Sequence, residues 1–382
     1  MNIWDVNGIL MSRDKPLAEI QSGDLVAIFS EDLLPLHLQR VRDVEDWLKQ
    51  RSVDAHRAHS RLLKKVLRLS EKDDLATVMH SYAATITDNY WIKPIGSTLQ
   101  WDDVKFSENY FADLALRGDL DAFTLDPSHT PELTNVGSFE KCWKLEDGTW
   151  WMYKRGNKLE LFSELFVYNL GVALGFPMAH YELVPGNAVR SRDYTGGAAV
   201  NFESMYGLVG DDEDYQLSYD KLIPYGTHIV DRYVEILIMD TICLNADRHT
   251  GNYGVFRDVS SGEVIGMAPN YDNNICLISD GYKDHPRKPD LMGRLLRDFE
   301  RDTGAVSDYL TRHKIPQITE DMIRACAMCT GIEVDMDYLV QFVLCGYNQT
   351  PLPDLVGSCV HQSTVTKMDL EFSSKTDADK KV

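Results

Sequence analysis

Long apolar runs are missing from this 382-residue chain. No stretch approaches the roughly 18 to 20 apolar residues that span a bilayer, so a transmembrane helix is excluded. Basic residues are also short. Lys and Arg number 39 against 59 Asp and Glu, a formal charge of −20. That field disfavours broad nucleic-acid binding, which needs clustered cations for phosphate contacts. Cysteine is sparse, seven residues at irregular spacing, which argues against a disulfide framework. The opening Met1-Asn2-Ile3-Trp4-Asp5 lacks the basic region and apolar stretch of a signal peptide. These absences lead us to expect a cytoplasmic, reduced protein with no membrane and no direct nucleic-acid partner. What is present is an ordinary globular balance, 44% apolar and 26% charged, with length for roughly two to three domains.

Residues 1 to 36 alternate short apolar runs with turn signals at Asn7-Gly8 and Ser22-Gly23-Asp24, and Leu25 to Phe29 reads as a strand. From His37 to Lys72 the pattern is helical and locally basic, which reads as a solvated helix face. A docking patch for an acidic partner or nucleic acid is the sharper alternative. Phe139 to Lys154 reads as a hairpin turning at Glu146-Asp147-Gly148. Leu159 to Leu174 has helical spacing with Gly175 as its cap, and short strands follow at Ala179 to Val184 and Ala198 to Phe202. Val230 to Leu244 is the strongest helix. Strands at Tyr253 to Phe256 and Val264 to Ala268 follow it, then helices at Asp290 to Glu300, Glu320 to Cys329 and Met336 to Cys345. From about Thr350 the composition is that of a loose tail. Cys326-Ala327-Met328-Cys329 has no second pair or nearby His to complete a zinc site, so core packing is its expected role.

The segment Asn245-Ala246-Asp247-Arg248-His249-Thr250-Gly251-Asn252 carries the chemistry. It leaves a buried helix and enters a strand. An Asp and an Asn five residues apart there can do two linked jobs: the carboxylate accepts a hydroxyl proton while the amide oxygen holds a divalent cation. Asp272 lies just beyond the following hairpin, which would return it beside Asn252 as a second oxygen ligand suited to Mg²⁺. His249 is expected to orient the loop rather than act as the base.

The loop resembles a kinase catalytic loop, and Asp272 stands where kinases place a metal-binding Asp. There is no H-R-D, D-F-G or A-P-E. The spelling instead resembles the HipA-like kinases, whose loops read N-x-D-x-H-x-x-N and whose metal Asp follows a Tyr, here Tyr271. Thr134-Asn135-Val136-Gly137-Ser138-Phe139-Glu140-Lys141 resembles that family's phosphate loop. The resemblance implies that Gly137, Ser138, Lys141 and Lys154 bind nucleotide phosphates. Glu164 would pair with Lys154, with Glu160 one turn away as its rival, and Asn201 and Phe202 would face adenine. Asn252 and Asp272 would hold Mg²⁺, Asp247 would be the catalytic base, and Thr134 and Ser138 are candidates for regulatory phosphorylation.

The expected architecture is α+β: a two-lobed protein-kinase-like fold, with a small β-rich N-lobe and a helical C-lobe, carrying an N-terminal appendage. The expected boundaries are 1–88 for the appendage, 89–205 for the N-lobe, 206–349 for the C-lobe and 350–382 for a flexible tail. The implied activity is ATP- and Mg²⁺-dependent phosphorylation of Ser or Thr on a protein, self-phosphorylation included. Two alternatives stand beside it. One is a toxin-like or regulatory module that binds a small antitoxin-like partner; the other is a kinase whose acceptor is a lipid or small molecule.

Overall fold

The computed structural model describes residues 1–353 except 55, 56, 58, 70–72, 120–128, 278 and 280–290. The expected tail from 354 onward, Lys72 and Asp290 therefore lie outside the described residues. No helix among the described residues is long and apolar enough to cross a membrane.

Three antiparallel sheets organise the chain. The first contains β1 (Gly8–Ser12), β2 (Lys15–Gln21), β3 (Asp24–Ile28) and β4 (Tyr90–Pro94), in the order β3-β2-β1-β4. Asn7 accepts the Ser22 N–H at 2.9 Å, tying the start of β1 to the β2–β3 turn. Helices α1 (Leu36–Val41), α2 (Val44–Lys49), α3 (Ser60–Val66) and α4 (Asp74–His80) fill the span between β3 and β4. Leu10, Leu17, Ile20, Trp47, Tyr90 and Ile92 share one core. β4 pairs Gly8 with Pro94 and Ser12 with Tyr90, so this first unit of structure runs through Pro94.

The basic stretch divides. Arg40, Arg42, Lys49, Arg61, Lys65 and Arg68 are exposed, but Arg51, Arg57 and Lys64 turn inward. Arg51 grips Asp88 with N–O distances of 2.8 and 2.9 Å, Arg57 meets Glu132 at 2.8 Å and Lys64 meets Asp74 at 3.3 Å. The solvated-face reading therefore needs correction for these three. Their carboxylate partners lie far off or outside the local window, and such pairing is what makes a buried cation tolerable.

Helices α5 (Trp101–Val104) and α6 (Ala112–Arg117) lead to the second sheet. It contains β5 (Lys141–Glu146), β6 (Thr149–Arg155), β7 (Tyr181–Val184) and β8 (Ala188–Arg192), in the order β5-β6-β8-β7. Asp147 and Gly148 turn the β5–β6 hairpin with positive φ angles of 49° and 73°. Trp150 is buried, while Trp151 lies beneath the Arg190 guanidinium at 4.1 Å. Between β6 and β7 runs α7 (Lys158–Leu174), opened by a reciprocal cap between Asn157 and Glu160 and closed by Gly175. One side of α7 packs on β7 and β8 through Leu161 and Leu165; the other enters the large helical core through Phe162, Phe166 and Leu170.

The third sheet, β9 (Asn201–Ser204), β10 (Gly254–Arg257) and β11 (Val264–Met267), has the order β11-β10-β9. Around it stand α8 (Tyr206–Val209), α9 (Tyr215–Leu222), α10 (Thr227–Cys243), α11 (Leu291–Thr303), α12 (Ala305–Arg312), α13 (Glu320–Met328) and α14 (Met336–Tyr347). α10 is buried along nearly its whole length. A Cβ at Gly346 would strike the Ile242 carbonyl, so glycine lets α14 lie directly against α10. Cys326 packs in this core and Cys329 is exposed. The result is two-lobed and kinase-like: a β-rich lobe centred on β6, a helical lobe centred on α10, and a first unit seated against both.

Candidate active site

β6 runs between β5 and β8, and Lys154, its penultimate residue, is buried and lines the cleft between the lobes. Its Nζ lies 2.7 Å from Glu164 Oε1 and also donates to Asp272. Burial opposes the lysine's charge, but Asp272 and Glu164 outweigh it and hold the ammonium well above the usual lysine value. Burial likewise opposes ionisation of Asp272, yet Lys154 and Lys141 hold its carboxyl below the usual range. Of the two carboxylates on α7, Glu164 reaches Lys154; Glu160 is spent on the helix cap, 2.8 Å from Asn157 N. Glu164 is fully buried, and its second oxygen accepts the Asn273 N–H at 2.9 Å. One glutamate thus links the β6 lysine to the loop that carries Asp272.

α10 ends at Leu244 in the left-handed conformation, φ 52°, which swings the chain into the polar loop. Asn245 accepts the Asp247 N–H at 3.1 Å. Asn252 donates through Nδ2 to the Asp247 carbonyl at 3.1 Å, which leaves its amide oxygen as the atom that can face a cation. His249 is exposed, and its ring accepts the Gly251 N–H at 3.1 Å, shaping the loop. Asp247 is half-buried, and burial raises its pKa above the ordinary aspartate value.

Arg248, which the sequence reading passed over, holds this loop together. It makes a bidentate pair with Asp240 of α10, both distances 2.9 Å. It also donates to the carbonyls of Asn252 at 2.8 Å and Tyr271 at 2.7 Å, and to the Asn273 side chain at 2.8 Å. One guanidinium thereby holds the backbone of Asn252 itself and the positions on either side of Asp272. The only signal in sequence was an arginine inside a loop otherwise short of charge of that sign.

In the Thr134–Lys141 segment, Ser138 is exposed and Thr134 is buried, its hydroxyl donating to the Ala84 carbonyl at 2.7 Å. Gly137 has φ 111°, and a Cβ there would collide with Lys141 Nζ. Burial lowers Lys141 to about 8. Phe139 lies under Lys154, 4.9 Å from its Nζ to the ring centre. Arg57 fastens both ends of the loop: it donates to the Asn135 carbonyl at 2.9 Å and to the Lys141 carbonyl, while Glu132 balances its charge. Neither Arg57 nor Glu132 has a local signature, because their pairing spans 75 positions.

Lys141, Lys154, Asp247, Asn252, Asp272 and Phe202 line one cleft of about 790 Å³, to which Gly137 and Ser138 also contribute. Glu164 and Asn201 lie behind its wall. The Asn201 side chain does not face the cleft as the sequence reading expected: its oxygen accepts both N–H groups of Asn89, at 2.9 and 2.7 Å. Phe202 does line the cleft, packed with Tyr194 and Tyr271 at 5.5 and 5.9 Å between ring centres. Asn252 offers an amide oxygen and Asp272 a carboxylate, the latter paired here with Lys154, a set that suits a hard cation keeping several of its own waters.

No family model matches the chain, and no curated protein matches it. Solved structures do. HipA of Shewanella oneidensis MR-1, from a toxin–antitoxin complex of HipA, HipB and operator DNA, superposes with a TM-score of 0.58 at 12% identity. The match covers 90% of this chain and 96% of HipA. The Helicobacter pylori proinflammatory kinase CtkA gives a TM-score of 0.46 at 18% identity, over 56% of this chain and 95% of that one. The fold is a two-lobed kinase-like fold. In particular, it is similar to the fold of HipA over nine-tenths of the chain.

Proposed function

We propose that the protein is an ATP- and Mg²⁺-dependent protein kinase acting on Ser or Thr. One observation carries this reading: Lys154 bridges Glu164 and Asp272 in the cleft that Asp247 and Asn252 also line. A lysine held between two carboxylates is charged and fixed, so it can grip phosphates without reorganising. Asn252 and Asp272 would hold Mg²⁺, which would supply positive charge to offset that of the phosphates. Asp247 orients the acceptor hydroxyl and takes its proton as the new O–P bond forms and the bond to the leaving diphosphate breaks. Lys141 and the N–H groups near Gly137 and Ser138 would meet the terminal phosphate.

The HipA structure contains HipB, and on that precedent a small partner protein belongs to the proposal. The −20 charge supports a protein acceptor over an anionic lipid headgroup or nucleic acid. Incubation of the purified chain with Mg²⁺ and γ-labelled ATP, alone and with candidate acceptor proteins, tests the reading. Label on serine or threonine is the expected result. Nucleotide binding without transfer to any protein, with transfer to a small hydroxyl compound, would change the acceptor class. Absence of nucleotide binding would remove the kinase reading.

A further inference from the structure

The cleft does not end at Asp247. It continues past His249 and Gly251 to a wall shared by α8, the segment after it and the first unit, where Tyr206, Asp211, Glu213 and His37 line it. Two hydrogen bonds fasten this wall to the loop of the proposed base. The Tyr206 N–H donates to the Thr250 carbonyl at 3.0 Å, and the Thr250 hydroxyl donates to the Gly210 carbonyl at 2.7 Å. Asp211, next in the chain, is thereby held beside the loop that carries Asp247.

The charge here is one-sided. Within the acidic run, Asp214 caps α9 through the Leu217 N–H at 2.8 Å, and Asp212 accepts the Asp214 N–H at 3.1 Å. Asp211 and Glu213 are the two that line the cleft; both are exposed, and neither has an ion-pair partner among the described residues. Nearby arginines are engaged. Arg51 pairs with Asp88 at 2.8 Å, and Arg40 donates to the carbonyls of Gly207 at 3.1 Å and Tyr206 at 3.4 Å.

A second observation at the same wall is independent of those acids. His37 stacks on Tyr206 with ring centres 5.7 Å apart; it is only 5% exposed, and neither of its ring nitrogens has a hydrogen-bond partner among the described residues. Asp46 Oδ2 stands 3.5 Å from His37 Nε2 but already accepts the Tyr206 hydroxyl at 2.8 Å. Burial lowers the His37 pKa, so at neutral pH the ring is neutral and one nitrogen is an acceptor. A buried polar atom left unpaired costs free energy that a ligand's N–H can recover. An acceptor nitrogen, two free carboxylates and a tyrosine ring suit one kind of visitor: a donor-rich cation such as a guanidinium, which pairs with carboxylates and stacks on ring faces.

We infer that this wall is the acceptor site, and that it selects a protein segment whose Ser or Thr is flanked by arginine or lysine. The inference rests on the kinase reading, because it takes the acceptor hydroxyl to sit at Asp247, and it deepens that reading by naming the acceptor's chemistry. It also gives the first unit, through His37, a part in choosing the acceptor.

Synthetic peptides with one central serine, flanked on both sides by arginine, by alanine or by glutamate, test it on the full chain with Mg²⁺ and γ-labelled ATP. Label on each peptide is read apart from label on the protein. For the arginine peptide kcat/KM should exceed that of the alanine peptide at least about threefold, with the glutamate peptide lowest. The preference should shrink as salt is added, because exposed charges are screened. Asp211→Asn combined with Glu213→Gln should bring the arginine peptide down to the level of the alanine peptide. His37→Phe keeps the stack on Tyr206 but has no acceptor nitrogen, so it should raise KM for the arginine peptide about threefold with kcat little changed. Equal use of the peptides, a preference that survives in the double variant, or a KM unmoved by His37→Phe overturns the inference and leaves the kinase reading standing. Nucleotide binding in calorimetry without label on any peptide does the same. If no nucleotide binds, the kinase reading fails and takes the inference with it.

Discussion

Arg248 and Asp240 face each other as a buried bidentate pair, each N–O distance 2.9 Å. The same guanidinium reaches the carbonyls of Asn252 and Tyr271. α10, the catalytic-type loop and the loop of Asp272 are therefore positioned by one side chain. Removing one member of a buried pair leaves the other charge uncompensated, at a cost of about 3–5 kcal/mol. Asp240→Ala and Arg248→Ala should each lower the unfolding free energy by that amount in denaturant titration. Arg248→Lys retains charge but loses the fork, so it should stay folded while phosphoryl transfer drops at least about tenfold.

Asp247→Asn should abolish phosphoryl transfer without loss of stability. Burial raises the Asp247 pKa in the fold. A carboxyl whose folded pKa exceeds its unfolded value costs stability above the unfolded pKa, and that cost is relieved as pH falls through the folded one. At neutral pH the amide removes that cost, so the melting temperature should hold or rise. A drop of several degrees would show that Asp247 has a structural role that its contacts do not reveal.

Asp272→Ala should lose most of the thermal stabilisation that Mg²⁺ and ATP together confer on the wild type, since binding to the native state stabilises by mass action. ATP with EDTA in place of Mg²⁺ should give the wild type a much smaller shift. Equal shifts for the two proteins would remove Asp272 from the metal site.

On the proposed reading, Lys141 should make nucleotide binding pH-dependent. Burial lowers its pKa to about 8, so it is charged below that pH and neutral above it. Phosphate contacts favour the charged form, so affinity should be highest below pH 8 and should weaken as pH rises through 8 to 9.5. The Lys141→Ala variant should bind more weakly overall and lack this step. Calorimetry at a series of pH values reads both effects.

Peptide mapping after incubation with Mg²⁺ and ATP should find phosphate on Ser138 before Thr134. Ser138 is exposed at the cleft, whereas the Thr134 hydroxyl is buried against the Ala84 carbonyl and flanked by the Arg57 staple. Phosphate on Thr134 first would require the loop to leave Arg57. In that event, Arg57→Ala should speed the modification.

Several helices and turns in both lobes were legible because their signals are local. The period of α7 and α10, the Gly175 cap and the Asp147-Gly148 turn each lie within a few residues of what they specify. Strand β8 was not legible: Ala188–Arg192 carries two arginines and no apolar alternation, and it is a strand because β6 and β7 flank it. The split of the basic stretch was equally hidden, since Arg51, Arg57 and Lys64 are buried by partners up to 75 positions away.

The sequence by itself determined the chemical inventory: an Asp and an Asn at fixed spacing after a buried helix, a second Asp beyond a hairpin, and a lysine at the end of a strand. Residue type and short-range spacing are properties of the chain alone. Tertiary structure decided which of these groups meet. It chose Glu164 over Glu160 for Lys154 and recruited Arg248 and Arg57 as clamps. It also turned Asn201 away from the cleft toward Asn89. Those choices depend on which surfaces are buried together, and burial sets the cost of leaving a charge or an N–H unpaired.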